Sequence, residues 1–289
     1  MIHRHWKTAL RFVPPVLLGV ILWREKPWTV ELSAGAPWAV AAVVAVNLGI
    51  SLPLKAARWR VALQDRPPFL QALAATFEGV FANAAIGLGS GDLIRAARLR
   101  REGRFGLDYA ATLAERGAEA LAFALMLFAT ALVARLGALA LALAGAIVAA
   151  YVGLLVAGRV LLPSLGRWPR FARALAAGLE ASTPRRVAIM VAISLVGWSC
   201  EVVTLVLMQR AFDIAPSIPT AMLTLVGINA AIAVPSAAGN FGTYEAGASM
   251  ALIASGVGRD VAVAYAFTYH LSHVIPVAAI ATAIYFIRR

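Results

Sequence analysis

Two short stretches of this chain carry helix-breaking residues inside sequence otherwise apolar enough to cross a bilayer. Asn229 to Glu245 reads N-A-A-I-A-V-P-S-A-A-G-N-F-G-T-Y-E, and Asn83 to Asp92 reads N-A-A-I-G-L-G-S-G-D. Both begin Asn-Ala-Ala-Ile, and both place a serine seven residues after the asparagine, at Ser90 and Ser236. In hydrocarbon every backbone polar group needs a partner. Such breaks are tolerated only where protein or a cavity satisfies the freed groups. Two of them, in corresponding positions of two halves, point to a binding site between the halves of a transporter.

The membrane reading rests on composition. Of 289 residues, 61% are hydrophobic and 14% charged, against about 25% charged in a soluble domain. A bilayer crossing takes about 20 helical residues, and crossings are expected at roughly 8–23, 37–57, 107–133, 137–160, 187–209 and 260–286. The longest polar stretch, 159–186, suits one amphipathic surface helix rather than a soluble domain. The first crossing contains Pro14-Pro15 and runs into Trp23-Arg24-Glu25-Lys26 without a small-residue cleavage site, which predicts an uncleaved helix. The single cysteine, Cys200, excludes an intrachain disulfide.

The net charge of +12 would suggest nucleic acid in a soluble protein. Here its placement gives a simpler account, and no nucleic-acid partner is expected. Clusters at Arg4–Arg11, Lys55–Arg66, Arg95–Arg104, Arg159–Arg186 and Arg288-Arg289 hold 20 of the 26 basic residues. If these clusters face the cytoplasm, segment 69–92 is flanked on both sides by cytoplasmic sequence and must enter and leave by one face. Segment 217–258 must begin and end on the other face, because the last crossing delivers Arg288-Arg289 inside. The expectation is an all-α polytopic membrane protein with about six full crossings and two re-entrant helical hairpins in an inverted-topology repeat. Residues 1–289 form one transmembrane domain with halves near 37–133 and 187–286. It is expected in the cell (inner) membrane, multi-pass, with both termini cytoplasmic.

Candidate binding residues follow from the two breaks and from charges placed in apolar helices. Asn83 and Asn229 open the two motifs. At the first break Gly87, Gly89 and Gly91 free the backbone, and Ser90 or Asp92 is expected to cap a helix starting near Leu93. Arg95, one turn on, could complete a phosphate clamp at that helix start. At the second break Pro235 stops a helix, Ser236 echoes Ser90, Gly239, Asn240 and Gly242 turn the chain, and Thr243 is expected to cap the next helix. Glu245 follows within that helix.

Glu115, Arg116 and Glu119 lie two to three turns into an apolar run. A charge at the bilayer centre costs at least ~2.5 kcal/mol, so they should face a cavity or one another. Glu115 and Glu119 share a helix face, and Arg116 can pair with Glu119. Arg116 is read as the one basic residue outside the loop and terminal clusters. Glu201 and Glu78 are further buried-carboxylate candidates. In the last crossing Tyr265, Tyr269 and His273 form a stripe with His270 beside it. His270-x-x-His273 lacks companion metal ligands, so no metal is expected. No Walker A, H-E-x-x-H or G-x-S-x-G motif is present, and neither catalysis nor a cofactor is expected.

Gly89-Ser-Gly-Asp-Leu-Ile-Arg95 followed by Glu115-Arg116, then Pro235-Ser-Ala-Ala-Gly239-x-x-Gly242-x-x-Glu245 followed by Tyr269-His270 and Pro276, resemble the lysylphosphatidylglycerol synthase transmembrane family of flippase-like domain proteins. The resemblance covers the chain from about residue 40 to the end. It implies a lipid translocase domain that moves a charged or glycosylated headgroup across the membrane. The soluble lysyl-transferase domain of bifunctional members is missing from this sequence, so aminoacylation is not implied.

The expected function is therefore a lipid flippase acting on a phospholipid or a polyprenyl-linked or glycolipid headgroup that contains phosphate. Its partners are anionic or polyprenyl-linked membrane lipids, and a homo-oligomer stays open. The alternatives are an intramembrane transferase using Glu115 or Glu245 as base, and a small-anion transporter.

Overall fold

A computed structural model describes residues 13–87, 89–99, 105–133, 183–232 and 238–287, with single positions 137, 145 and 149 between them. The described residues form helices and no strand. In chain order the helices are α1 (Val13–Glu25), α2 (Ala36–Ala62), α3 (Phe69–Ala85), α4 (Ser90–Arg98), α5 (Phe105–Val133), α6 (Pro184–Ala211), α7 (Ile218–Ile232), α8 (Thr243–Ala254) and α9 (Arg259–Ile287). α2, α6 and α9 are 27, 28 and 29 residues long and apolar enough to span a bilayer. At 1.5 Å per residue each exceeds the ~30 Å hydrocarbon thickness. α5 is as long, 29 residues, but carries the Glu115-Arg116-Glu119 charges. The expected crossing at 137–160 and the surface helix at 159–186 fall almost entirely outside the described residues.

α2 holds a wide π turn at Asn47–Ser51. Pro53 follows two residues later, after Leu52. A proline inside a helix has no N–H to donate and its ring crowds the carbonyl four residues back, here that of Gly49. Widening the preceding turn relieves that crowding. The helix then continues to Ala62, so Lys55, Arg58 and Arg60 are helical and do not lie in a loop beyond residue 57.

The chain divides into two compact units, one of 1–49, 80–90 and 200–289, the other of 50–79 and 91–199. In the first unit α7 and α8 form a hairpin that packs on α9. The hairpin is tight because glycine meets glycine. A Cβ on Gly227 would lie 2.5 Å from the Gly247 carbonyl oxygen, and one on Gly247 would lie 2.3 Å from that of Gly227. The first half of α2 also lies along α9. Ser33 ties the loop before it to the end of α6, its N–H donating to Ala211 O at 3.1 Å and its hydroxyl to Arg210 O at 2.9 Å.

In the second unit the latter half of α2 packs along α5. Its core is small apart from one indole: Trp59 sits among Ala56, Leu63, Ala72, Ala75, Leu99 and Ala111. Alanines let the helix backbones approach closely. The indole N–H is satisfied by Thr112 Oγ1 at 3.0 Å, as a buried polar group requires. Gly79 admits the Arg95 side chain, since a Cβ there would stand 2.8 Å from Arg95 Cγ.

Candidate functional site

The second unit contains a closed ring of alternating charges. Arg58 donates from Nε to Glu115 Oε1 at 3.0 Å. The other oxygen of Glu115 accepts from Arg95 Nη2 at 2.7 Å. Arg95 Nη1 stands 3.5 Å from Asp92 Oδ1. Asp92 takes a two-point fork from Arg116, with Nε at 3.0 Å and Nη2 at 2.8 Å. Arg116 Nη1 donates to Glu119 Oε2 at 2.7 Å. Glu119 Oε1 closes the ring on Arg58 Nη2 at 2.9 Å.

Three helices supply the ring, and local sequence explains each placement. Asp92 and Arg95 are three residues apart on α4, Glu115 and Glu119 four apart on α5, so each pair shares a helix face. Arg58 lies next to Trp59, which the Ala56–Leu63 stripe holds against α5. Arg58 also donates to Ser194 Oγ at 2.9 Å, and the Arg95 guanidinium lies 4.5 Å over the Trp59 ring. With three cations and three anions the ring is neutral, which makes burial bearable.

Burial is uneven around it. Glu115 is 0% exposed, Arg58 4% and Arg95 6%, whereas Arg116 is 40% exposed with Asp92 and Glu119 beside it at 12% and 15%. The ring is sealed on the Arg58–Glu115–Arg95 side and open at Arg116. One buried donor of the ring, Arg95 Nε, has no acceptor among the described residues.

The first unit contains a second, aromatic cluster. The second break is a 3₁₀ turn at Ala238–Asn240, with Gly239 at φ +77° and Gly242 at φ +91°. Glu245 reaches back so that Oε2 accepts the Gly242 N–H at 2.7 Å, the carboxylate half of a capping box. Its Oε1 lies 2.7 Å from His270 Nδ1, within hydrogen-bonding distance. The His270 ring stacks on Tyr244 at 4.1 Å and meets Phe241 at 4.7 Å. Next to His270 on α9, Tyr269 donates to Glu201 Oε1 at 3.0 Å and is hydrogen-bonded to Thr204 Oγ1 at 2.7 Å. His273 Nε2 faces the same Glu201 oxygen at 3.2 Å. Tyr265 donates to the Leu205 carbonyl at 2.7 Å.

The two breaks meet within this unit: a Cβ on Gly239 would stand 3.4 Å from the Ala84 carbonyl oxygen. At the first break Gly87 and Gly89 take φ +124° and +88°, conformations closed to most side chains.

Of the sequence candidates, the ring joins Asp92, Arg95, Glu115, Arg116 and Glu119, and the aromatic cluster joins Glu245, Tyr269 and His270. Other candidates among the described residues make contacts close by in the chain. Asn229 donates to Leu225 O in its own helix at 2.8 Å. The Asn83 carbonyl accepts from Gly87 N at 3.1 Å, and that of Asn240 accepts from Thr243 Oγ1 at 2.9 Å. Pro235 and Ser236 lie outside the described residues.

Several expectations are corrected. α4 starts at Ser90, three residues before Leu93, and Ser90 caps nothing there: its hydroxyl donates to Ala82 O at 2.8 Å and Gly87 O at 2.7 Å. Asp92 serves Arg116 instead. The cap at the second break comes from Glu245, and Thr243 donates backwards. Arg95, the expected clamp residue, donates to Glu115. Glu78 is paired with Arg98. Arg116 is not the one basic residue outside the loops and termini, since Arg58 and Arg95 lie within α2 and α4 and are buried.

Arg58 was missed because Lys55, Arg58, Arg60 and Arg66 read together as a loop cluster. The signal was available in Leu52, Ala56, Trp59 and Leu63, a helical stripe running past residue 57. Among the described residues no group of three or more His, Cys, Asp or Glu side chains is placed to hold a metal; His270 and His273 turn to different carboxylates.

The family model of the lysylphosphatidylglycerol synthase TM region matches residues 9–281, nearly the whole chain. No curated protein and no solved structure matches it. The chain belongs to the lysylphosphatidylglycerol synthase transmembrane family.

Proposed function

We propose that this member of the lysylphosphatidylglycerol synthase transmembrane family is a lipid translocase that carries a phosphate-containing headgroup across the bilayer while the hydrocarbon chains stay in lipid. The observation that carries the reading is the neutral charge ring with one arginine left 40% exposed. Helices that only needed to span would not keep three arginines and three carboxylates together in apolar surroundings. A planar guanidinium fork is the side chain best matched to a phosphate. Family membership supplies the lipid-related context.

Transport is favoured over chemistry by how the carboxylates are used. Glu115, Glu119 and Asp92 each face two guanidinium groups. A general base needs a lone pair aimed at a substrate proton. Both breaks are helix–turn–helix units, α3–α4 and α7–α8, and their approach at Gly239 and Ala84 supports the reading of two opposed re-entrant hairpins in an inverted repeat. In that arrangement the basic clusters face the cytoplasm of the cell (inner) membrane and gather anionic lipid there.

The test is reconstitution into liposomes carrying fluorescent phospholipid or polyprenyl phosphate in one leaflet. The expected result is translocation well above empty vesicles for at least one phosphate lipid. Rates equal to empty vesicles across both classes overturn the reading.

A further inference from the structure

We propose that Asp92 is a built-in stand-in for the ligand: a phosphate monoester or diester exchanges with its carboxylate on the Arg116 fork and then lies between Arg116 and Arg95. The inference rests on the translocase reading for its source of phosphate, but it concerns how the ring opens.

The geometry singles out Asp92. Its contact with Arg95, at 3.5 Å, is the longest link in the ring, whereas the shortest contact of every other link lies between 2.7 and 3.0 Å. It lies on the exposed side, next to the most exposed arginine. Its neighbour on the sealed side, Arg95, keeps a buried Nε–H with no acceptor among the described residues. Its own carboxylate accepts from Arg116 in the two-point manner that a phosphate also offers.

Donor counting gives the same answer. Three guanidinium groups offer about fifteen N–H donors and three carboxylates roughly twelve acceptor positions. Replacing a two-oxygen carboxylate by a phosphate with more oxygens moves the ring toward balance. Charge is conserved as well, because a diester or singly ionised monoester brings the same single negative charge that Asp92 withdraws. The sealed Arg58–Glu115 side stays intact during the exchange, so the opening is local.

Exchange has a cost in affinity. The ligand must displace an anion already in place, so wild-type binding is weak and release is easy, as a carrier requires. Asp92→Asn removes the competing charge while keeping the side-chain shape. The experiment titrates the full chain, purified in detergent, with inorganic phosphate, dioctanoyl phosphatidic acid and dioctanoylglycerol, following heat of binding. Asp92→Asn is expected to bind a phosphate probe about tenfold or more tighter than wild type. Arg116→Lys, which loses the fork, is expected to weaken binding in either background. A gain for phosphatidic acid alone identifies a lipid headgroup as the ligand. A gain for inorganic phosphate too shows that the phosphate group suffices.

Folded Asp92→Asn protein that binds both phosphates no tighter than wild type overturns the exchange, as does an equal gain for the uncharged dioctanoylglycerol. If the variant does not fold, the wild-type chain decides. Infrared difference spectra on adding phosphate should show an arginine-bound carboxylate band shifting, and an unchanged carboxylate region overturns the proposal. Failure of translocation in vesicles with exchange intact defeats the transport reading alone; translocation without exchange defeats this one alone.

Discussion

Glu115 holds two guanidinium groups at once, so its removal strands two buried charges. Breaking a buried pair on one side costs about 3–5 kcal/mol. Glu115→Ala is therefore expected to lose at least that much in a detergent unfolding titration, while Glu115→Ala with Arg95→Met recovers part of it because one stranded cation is gone. Arg116→Lys tests function at the same scale. It keeps the charge but loses the fork to Asp92, so lipid translocation should fall by roughly tenfold or more while the melting temperature shifts little. Much of this ring was legible in the sequence, because Glu115, Arg116 and Glu119 stand as charges inside an apolar run. Arg58 was not, since positive charge near a helix end reads as a cytoplasmic anchor until the helix is seen to continue. Ser194 and Thr204 were illegible for a different reason: a hydroxyl costs little in a helix, and only its partner shows its use.

The hairpins test the packing of elements. Gly227 and Gly247 sit back to back, and neither can carry a Cβ without a clash with backbone. Gly227→Ala or Gly247→Ala should each destabilise the protein by roughly 1–3 kcal/mol through overpacking. Gly197, in the interior of α6, has nothing among the described residues within 4 Å of its Cβ position; Gly197→Ala should be neutral or stabilising by up to about 1 kcal/mol. Thermal melts of the three variants in one detergent check both statements. The second break makes a further test, since Glu245 serves a cap and a histidine together. Glu245→Ala should cost about 1 kcal/mol from the lost cap alone, and more as His270 loses its partner. The sequence showed where helices break, because Gly and Pro punctuate strongly. It misjudged which residue starts the next helix, because Ser90, Asp92 and Thr243 are all good caps in isolation, but Ser90 and Thr243 donate back to preceding carbonyls and Asp92 pairs with Arg116.

At the scale of the whole molecule, charge placement predicts orientation and the single cysteine makes it testable. On a Cys200→Ala background, a cysteine at Asp65 should react with an impermeant maleimide only from the cytoplasmic side and one at Ala215 only from the other; both positions are exposed. Labelling from the same side would remove the opposed-hairpin arrangement. Trp23, Trp28 and Trp38 are exposed around the α1–α2 connection, where indole rings suit the membrane interface. Helical class and the three clearly apolar spans could be read from hydropathy alone, because spanning is a matter of length and composition. The pairing of α2 with α5 could not, because it depends on alanines that look alike in every helix. The π turn at Asn47–Ser51 also sets how this protein can tolerate a change in length. A wide turn houses one residue more than an ordinary one, so deleting Gly49 should close it to a regular turn and keep the helical phase on both sides. The same single deletion at Ala57 would rotate Leu52 and Ala56 by about 100° off the face that Trp59 and Leu63 occupy. Length variation in this helix is thus confined to a five-residue window, and the position of Arg58 against Glu115 is insulated from it.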